Sequence, residues 1–287
     1  MDFKNGQELL KICEQEQCSV SEIMKRREVS NGEMTMEQIE ERMRKSLSIM
    51  KDSVQKSISS PHRSMSGLIG GEARKITDYG KREDSLGGSL MNKMIAYSMA
   101  VLEMNASMGV IVAAPTAGSS GVLPGVLLSL QEEKNWTDEQ VCAGLFHASA
   151  IGYLLMRNAS VAGAEAGCQA EVGAASAMAA GAVVEIMGGT PEMSLQAASM
   201  ALSNLLGLVC DPVAGLVEIP CQSRNAMGAA NALACAEVIL SGVQMQIPFD
   251  EMAEAMYKVG RRIPYELRET ALGGCAATPT GCRMKCR

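Results

Sequence analysis

The chain has 287 residues, of which 47% are hydrophobic, 3% are aromatic and 20% are charged, and its formal net charge is −6. This length fits one large or two small domains with a buried core, and the composition excludes a disordered chain. The negative net charge argues against a general nucleic-acid-binding protein, because phosphate binding needs a basic surface.

The cysteines and the apolar runs indicate the cellular setting. Ten cysteines, unevenly placed, do not make a disulfide scaffold for a chain of this length. The first 17 residues carry charges where a signal peptide needs an apolar run. We therefore predict a cytoplasmic protein with reduced thiols. The apolar run 172–189 is rich in Ala and Gly, which predicts a buried core helix rather than a membrane span.

The first 58 residues predict a charged helical module. Ser19 with Glu22 and Thr35 with Gln38 have the spacing of the capping boxes that begin helices. Residues 59–88 are polar and glycine-bearing, which indicates a loop or linker. Residues 89–287 are predicted to form a helical domain of the catalytic type, and the three ranges can also make one continuous domain.

Within residues 89–287 the sequence predicts helices separated by short breaks. An extended run at 110–114 is followed by a helix from about residue 122. Thr137 begins a helix that reaches about residue 157, and Thr190 with Pro191 begins another. Asp250 is expected to cap a further helix. The prediction is an all-α fold, mostly helical with very few short strands.

One loop has the composition of an anion site. Residues 115–125, PTAGSSGVLPG, place three glycines and three hydroxyls before a helix N-terminus, where backbone N–H groups can bind a carboxylate. The loop lacks the Gly-Lys-Ser/Thr of a Walker motif. A tight turn without a ligand has the same composition, so both interpretations stay open.

Three cysteines, Cys168, Cys210 and Cys221, lie at predicted helix–loop boundaries. Their spacing matches neither a zinc C-x-x-C pair nor a ferredoxin run. Inert core cysteines are the alternative to metal ligands, and for Cys142 and Cys235, inside apolar helices, the inert role is the stronger expectation.

The sequence has only two histidines, and two glutamates lie near Cys168. His147 lies in an apolar stretch and is expected to be a core histidine, whereas His62 lies in the polar loop, where functional residues are more common. Glu165 and Glu171 flank Cys168. Either carboxylate can act as acid or base if burial raises its pKa, or can serve as a structural hydrogen-bond partner.

Three long motifs, in order, identify a family. APTAGSSGVLPG, NASVAGAEAGCQAEVGAASAMAA and VCDPVAGLVEIPCQSRNAMGAANA resemble the α chain of the iron–sulfur-dependent L-serine dehydratases. The resemblance implies a [4Fe–4S] cluster bound by Cys168, Cys210 and Cys221, with one iron left open. It also implies conversion of L-serine to pyruvate and ammonia without pyridoxal phosphate, the open iron acting as a Lewis acid on the serine hydroxyl.

The resemblance further implies a separate β subunit. Single-chain members carry a β-type region with a Ser-Ser-His-Thr motif, which this sequence lacks. Much of the acid–base chemistry can therefore reside on that partner, and we assign the base to neither His62 nor the two glutamates. We further expect five polar side chains to bind substrate and, as a hypothesis, the tail thiol of Cys286 to reach the open iron in the resting enzyme. The five side chains are those of Thr116, Ser119, Ser120, Asn158 and Ser160.

Two other functions stay open. One is a related β-eliminating lyase acting on L-cysteine or L-threonine, because the small-residue segments do not define the preferred side chain. The other is a metal-free helical binding module with merely buried cysteines. The polar residues near the thiols in sequence, Glu165, Glu171, Asn158 and Arg224, favour an enzyme, because an inert buried cysteine does not need them.

Overall fold

The computed structural model describes residues 2–285. Within that range the chain is all-α, as predicted, and it contains no β-strand; the single bridge is an isolated parallel pair, Cys210 with Arg268. The expected short strands are therefore absent, and residues 110–113 are irregular because no neighbouring segment pairs with them. The helices are α1 (Gly6–Glu16), α2 (Val20–Asn31), α3 (Met36–Ser59), α4 (Glu72–Tyr79), α5 (Gly88–Ala106), α6 (Val122–Lys134), α7 (Asp138–Asn158), α8 (Gly163–Ala166), α9 (Ala174–Ile186), α10 (Pro191–Asn204), α11 (Cys221–Leu240), α12 (Phe249–Gly260) and α13 (Pro279–Met284).

Side-chain caps begin several helices where the sequence places them. Thr35 with Gln38 and Thr137 with Gln140 form reciprocal capping boxes at α3 and α7. Ser19 accepts a hydrogen bond from the N–H of Glu22 and so caps α2 through its own side chain. These local hydrogen bonds satisfy N–H groups that the helix itself leaves unpaired, which is why short motifs predict them.

Asp250 caps a different helix from the one expected. It lies inside the first turn of α12, which begins at Phe249 after Pro248. Its carboxylate oxygens accept hydrogen bonds from the N–H groups of Gly6, at 2.7 Å, and Gln7, at 3.0 Å. The prediction for Asp250 was wrong because its partners are distant in sequence, and the contact joins the N-terminus of α1 to α12.

The centre of the fold is α9, which packs against α7, α10 and α11. Every residue from Ala174 to Val184 is buried. Small residues allow this close approach: a Cβ at Gly181 would lie 2.6 Å from His147 Cε1, and one at Gly228 would lie 2.6 Å from Val172 Cγ1. Within the described range, no helix combines the length and the apolar character needed to cross a membrane. The prediction of a buried core helix is confirmed.

The first 88 residues pack on this core. Helix α2 lies against α7, and α3 lies against α5 and α7. The range 59–88, expected to be a loop, contains α4, whose N-terminal Ala73 N–H donates to Glu103 Oε1 at 2.9 Å. Tertiary contact with α5 stabilises this short polar helix, which lacks a clear sequence signal. The division into 1–58, 59–88 and 89–287 stays a prediction.

Candidate metal centre

The three cysteines singled out in the sequence come from three separate elements. Cys168 lies between α8 and a π-helical turn, Gln169–Gly173, that leads into α9. Cys210 lies in the loop after α10, and Cys221 is the first residue of α11. All three are buried, at 2%, 3% and 6% exposure respectively. The three buried thiols thus come from a helix start, a loop and the entry to a π-helical turn, which are separate parts of the chain.

Two of the thiols and one carboxylate form a tightly spaced group. Cys168 Sγ, Cys210 Sγ and a carboxylate oxygen of Glu171 all lie within 4.8 Å of one another, a group that can hold a metal ion. Cys210 Sγ is 3.9 Å from Glu171 Oε2. Cys221 does not belong to this tight set, although the charge of Cys168 reaches it: burial raises the pKa of Cys221 to about 12, and Cys168 adds to the shift.

The pKa values of Cys168 and Cys210 are shifted in opposite directions. The pKa of Cys168 is lowered, chiefly by the hydrogen bond from Cys210 and against the effect of burial, and Arg224 adds to the lowering. The pKa of Cys210 is raised, first by that same hydrogen bond and then by burial. Within the pair the proton is therefore favoured on Cys210, and Cys168 is the thiol that loses its proton more easily. A thiol that loses its proton easily is suited to bind a metal, because the thiolate is the ligand form.

Arg224 and Asp211 form a partly buried ion pair beside the thiols. Arg224 Nη1 lies 2.7 Å from Asp211 Oδ1 and donates to the carbonyl of Val209 at 2.8 Å. Asp211 Oδ2 accepts from the N–H of Cys275 at 2.6 Å. Burial alone would raise the pKa of Asp211, but the Cys275 hydrogen bond and Arg224 hold it below its usual range. The pair links the loop of Cys210 to the C-terminal segment.

Both carboxylate oxygens of Glu171 have a neighbouring side chain. Thr116 Oγ1 donates to Glu171 Oε1 at 2.7 Å, and Oε2 faces Cys210. A Cβ at Gly163 would lie 2.5 Å from Glu171 Oε2 and 3.1 Å from Cys210 Sγ, so only glycine fits there without displacement. Burial raises the pKa of Glu171 despite the Thr116 hydrogen bond. A carboxyl group with raised pKa next to a metal site is suited to carry a proton.

Asn225, one helical turn after Cys221, fixes the PTAGSSG loop. Its Oδ1 accepts from Gly121 N–H at 2.9 Å, and its Nδ2 donates to Gly118 O at 2.8 Å and Cys221 O at 2.9 Å. Ser119 and Ser120 are fully buried, and their hydroxyls donate to Ala114 O and Ala117 O. Thr116 is therefore the loop hydroxyl that the structure brings to the thiols.

The remaining predicted residues lie apart from the thiols or face other partners. Ser160 donates to Glu165 Oε2 at 2.6 Å, which pairs two of the candidates with each other. Asn158 donates to Lys4 O at 2.8 Å and thereby anchors the N-terminal segment. His62 is exposed in the loop before α4. The roles expected for these residues stay predictions, and Cys286 lies outside the described residues.

His147 confirms its expected place in the core. It is fully buried, and Nε2 lies 2.9 Å from Ser194 Oγ. Burial lowers its pKa, and the nearby Glu185 only partly opposes this effect. His147 is therefore a buried core histidine enclosed among α7, α9 and α10.

Sequence reasoning missed Asn225, Gly163 and Glu269 as residues of the centre. Asn225 was open to discovery, because it follows Cys221 by four residues on one helix and so shares its face. Gly163 carried no signal beyond its type. Glu269 lies far along the chain, and its backbone N–H donates to Cys210 O at 2.7 Å only through the tertiary fold.

Comparisons with known proteins identify the family of the chain. The family model for the serine dehydratase alpha chain matches residues 15–276. A probable L-serine dehydratase, alpha chain, from Bacillus subtilis is 49% identical over 279 residues, covering 97% of this chain and 93% of the relative. An L-serine dehydratase, alpha chain, from Peptoniphilus asaccharolyticus is 40% identical over 99% of this chain and 97% of its own length. An L-serine dehydratase from Helicobacter pylori is 36% identical over 96% of this chain but only 62% of its own length.

Proposed function

Because the chain belongs to the serine dehydratase alpha-chain family, we propose that it is the α subunit of a [4Fe–4S]-dependent L-serine dehydratase, a lyase that converts L-serine to pyruvate and ammonia. The observation that carries this proposal is the group of Cys168, Cys210 and Glu171 around one point, with Cys221 buried at the adjoining helix start. The relatives named for serine favour that substrate over L-cysteine and L-threonine.

The donor set fits an iron–sulfur cluster. Iron–sulfur clusters are held by cysteine thiolates, and here three buried thiols come from separate loops, with a thiolate already favoured at Cys168. Three thiolates leave one of four irons without a protein thiolate. The wider placement of Cys221 suits ligands that bind different irons of one cluster rather than a single shared ion. When bound, such a cluster supplies a Lewis-acidic iron that polarises the substrate hydroxyl.

The polar residues around the thiols divide the remaining work. Arg224 places a positive charge beside the anionic thiolate of Cys168, and Asp211 holds the guanidinium in place. Glu171 can hold a proton at Oε2, next to Cys210, with its orientation set by Thr116. Among the described residues of this chain, Glu171 is our candidate for a general acid or base.

A separate β subunit completes the enzyme in this proposal. The relatives from Bacillus subtilis and Peptoniphilus asaccharolyticus, which the chain covers to 93% and 97% of their length, are named alpha chains, and such a name implies a second subunit. The L-serine dehydratase from Helicobacter pylori is longer, and the chain covers 62% of it. Acid–base groups that this chain does not supply would then come from the β subunit.

Anaerobic reconstitution tests the cofactor and the substrate together. The chain is incubated with ferrous iron and sulfide, with and without the co-expressed β subunit. Iron and sulfide are then determined, and pyruvate formation is measured with L-serine, L-threonine and L-cysteine. We expect about four irons and four sulfides per chain, and the highest kcat/KM with L-serine. Full activity in the metal-free protein, or a preference for another amino acid, would contradict the proposal.

A further inference from the structure

The segment after α12 passes beside Cys210, and two of its residues have a positive φ angle. The chain passes Tyr265–Leu267, a short 3₁₀ turn, and then places Glu269 at φ 65° and Ala271 at φ 55°. Residues other than glycine seldom adopt positive φ, because the Cβ atom then crowds the backbone. Such strain persists only where surrounding contacts impose it, and it is concentrated at functional sites.

Hydrogen bonds to a proposed cluster ligand impose this conformation. Cys210 N–H donates to Leu267 O at 2.8 Å, and Glu269 N–H donates to Cys210 O at 2.7 Å. These two bonds make the isolated bridge between Cys210 and Arg268. Arg268 Nη1 also donates to Glu165 O at 3.4 Å. Glu269 is thus fixed to the backbone of Cys210 rather than carried on a free loop.

The carboxylate of Glu269 remains without a cationic partner. Glu269 is exposed, and none of the lysines and arginines within residues 2–285 forms an ion pair with it. Its charge nevertheless reaches the centre. Burial is the main cause of the raised pKa values of Glu171 and Cys221, and the negative charge of Glu269 adds to both. The hydrogen bond from the Glu269 N–H to Cys210 O places this residue at the edge of the centre, and its electrostatic effect on Glu171 and Cys221 agrees with that position.

We propose that Glu269 binds the α-ammonium group of the amino-acid substrate at the metal centre. This inference rests on the function proposed above. An amino acid whose hydroxyl lies at the metal needs an anion for its ammonium group. Glu171 has one oxygen engaged by Thr116 and the other against Cys210, and Glu165 accepts from Ser160. Glu269 is exposed, has no ion pair among residues 2–285, and is held beside Cys210 by its backbone hydrogen bond.

Binding of the ammonium group would be favourable because its positive charge neutralises negative charge at the centre. A carboxylate beside thiolates raises the local negative potential, and a bound ammonium group relieves it while forming a charge-assisted hydrogen bond. Such hydrogen bonds contribute enough to change affinity by about 10- to 100-fold. A substrate analogue with a neutral group in place of the ammonium would not gain this contact.

The test compares L-serine with L-glycerate, in which a hydroxyl replaces the ammonium group. Glu269→Gln, Glu269→Asp and the control Glu266→Gln, an exposed residue of the same segment, are reconstituted with the β subunit. For each, iron and sulfide content, KM and kcat for L-serine, and Ki for L-glycerate are measured. Binding of both compounds is also followed by the change in the cluster absorption spectrum. We expect Glu269→Gln to weaken L-serine binding about 10- to 100-fold with L-glycerate changed less than about 3-fold, and Glu269→Asp to recover part of the loss.

Three results would overturn the inference. They are unchanged L-serine binding in Glu269→Gln, equal weakening of both compounds, and loss of the cluster in that variant, which would assign Glu269 to cluster assembly. Failure of the proposed function is separate, because it would appear as a wild-type enzyme that does not deaminate L-serine at all.

Discussion

Cys235 and Cys168 lie in two buried regions of the molecule that differ in what surrounds the sulfur. Cys235, in the middle of α11, is 1% exposed, and its neighbours are the amides of Asn204 and Asn231. Burial raises its pKa to about 11. Cys168 is equally buried, yet its pKa is lowered by the hydrogen bond from Cys210, with help from Arg224. Burial alone therefore makes an inert thiol, whereas charged and hydrogen-bonding neighbours make a ligand.

The backbone of the two regions differs as well. Cys235 and His147 lie within regular helices, where the small residues of α9 allow tight packing. The thiols of the metal centre lie at helix ends and in loops, and Gly163 leaves room that no side chain could share. Side chains on one helix point in different directions around its axis. Several groups can therefore meet at one point only if they come from the ends of several helices or from loops.

The largest expected effect comes from exchanging sulfur for oxygen in each region. Cys168→Ser removes a thiolate ligand, so the reconstituted enzyme should lose its cluster and its activity together. Cys235→Ser should retain the cluster, with kcat/KM within about 2-fold and a stability cost of about 1 kcal/mol. Iron content, the visible absorption spectrum and pyruvate formation provide the readouts. A full cluster in Cys168→Ser would show that the two cysteines do not differ as proposed.

A smaller effect is expected from adding one methyl group. In Gly163→Ala the new Cβ would lie 2.5 Å from Glu171 Oε2, which must move away from Thr116 and Cys210. We expect kcat/KM to fall about 10- to 100-fold, as when a group that orients a metal ligand is lost.

Gly173→Ala is the matched control for that substitution. Its nearest atom would be 3.7 Å away, and the residue is helical, so the protein should gain about 0.5–1 kcal/mol with unchanged kinetics. Steady-state kinetics and thermal unfolding separate the two variants. Equal kinetics in Gly163→Ala and Gly173→Ala would mean that the space beside Glu171 has no function.

The smallest effect concerns stability and belongs to the core. Burial lowers the pKa of His147 below its ordinary value of 6.5, so the native state keeps this ring neutral while the unfolded chain takes up a proton. The free energy of unfolding should therefore fall as the pH falls below about 6.5, by at most about 1.4 kcal/mol per pH unit from this group. Urea unfolding between pH 7.5 and 5 measures the slope.

His147→Gln should reduce that slope, and His62→Gln should leave it unchanged because the His62 side chain is exposed in the native state. A slope that is the same in the wild type and in His147→Gln would show that the buried histidine is not the group that links stability to pH in this range.

Much of the fold was accessible from local patterns. Thr35, Thr137 and Thr190 each begin the helix that their side chains predict, because a capping hydrogen bond spans only three residues. Helix α4 and the partner of Asp250 were not accessible. The first is stabilised by its contact with α5, and the second caps a helix more than 240 residues away in sequence. Interactions of that range have no signature in a short window.

By itself the sequence determined the all-α class, the helix starts at Thr35, Thr137 and Thr190, the family and the three candidate cysteines, since these depend on local hydrogen bonds and on motifs contiguous in the chain. Only the tertiary structure decided that Glu171 joins Cys168 and Cys210, and that Arg224 stands beside them. Likewise, only the fold pins Glu269 to the backbone of Cys210. These groups come from four separate segments, and their distances depend on how α9, α11 and the chain after α12 pack, which no spacing along the sequence specifies.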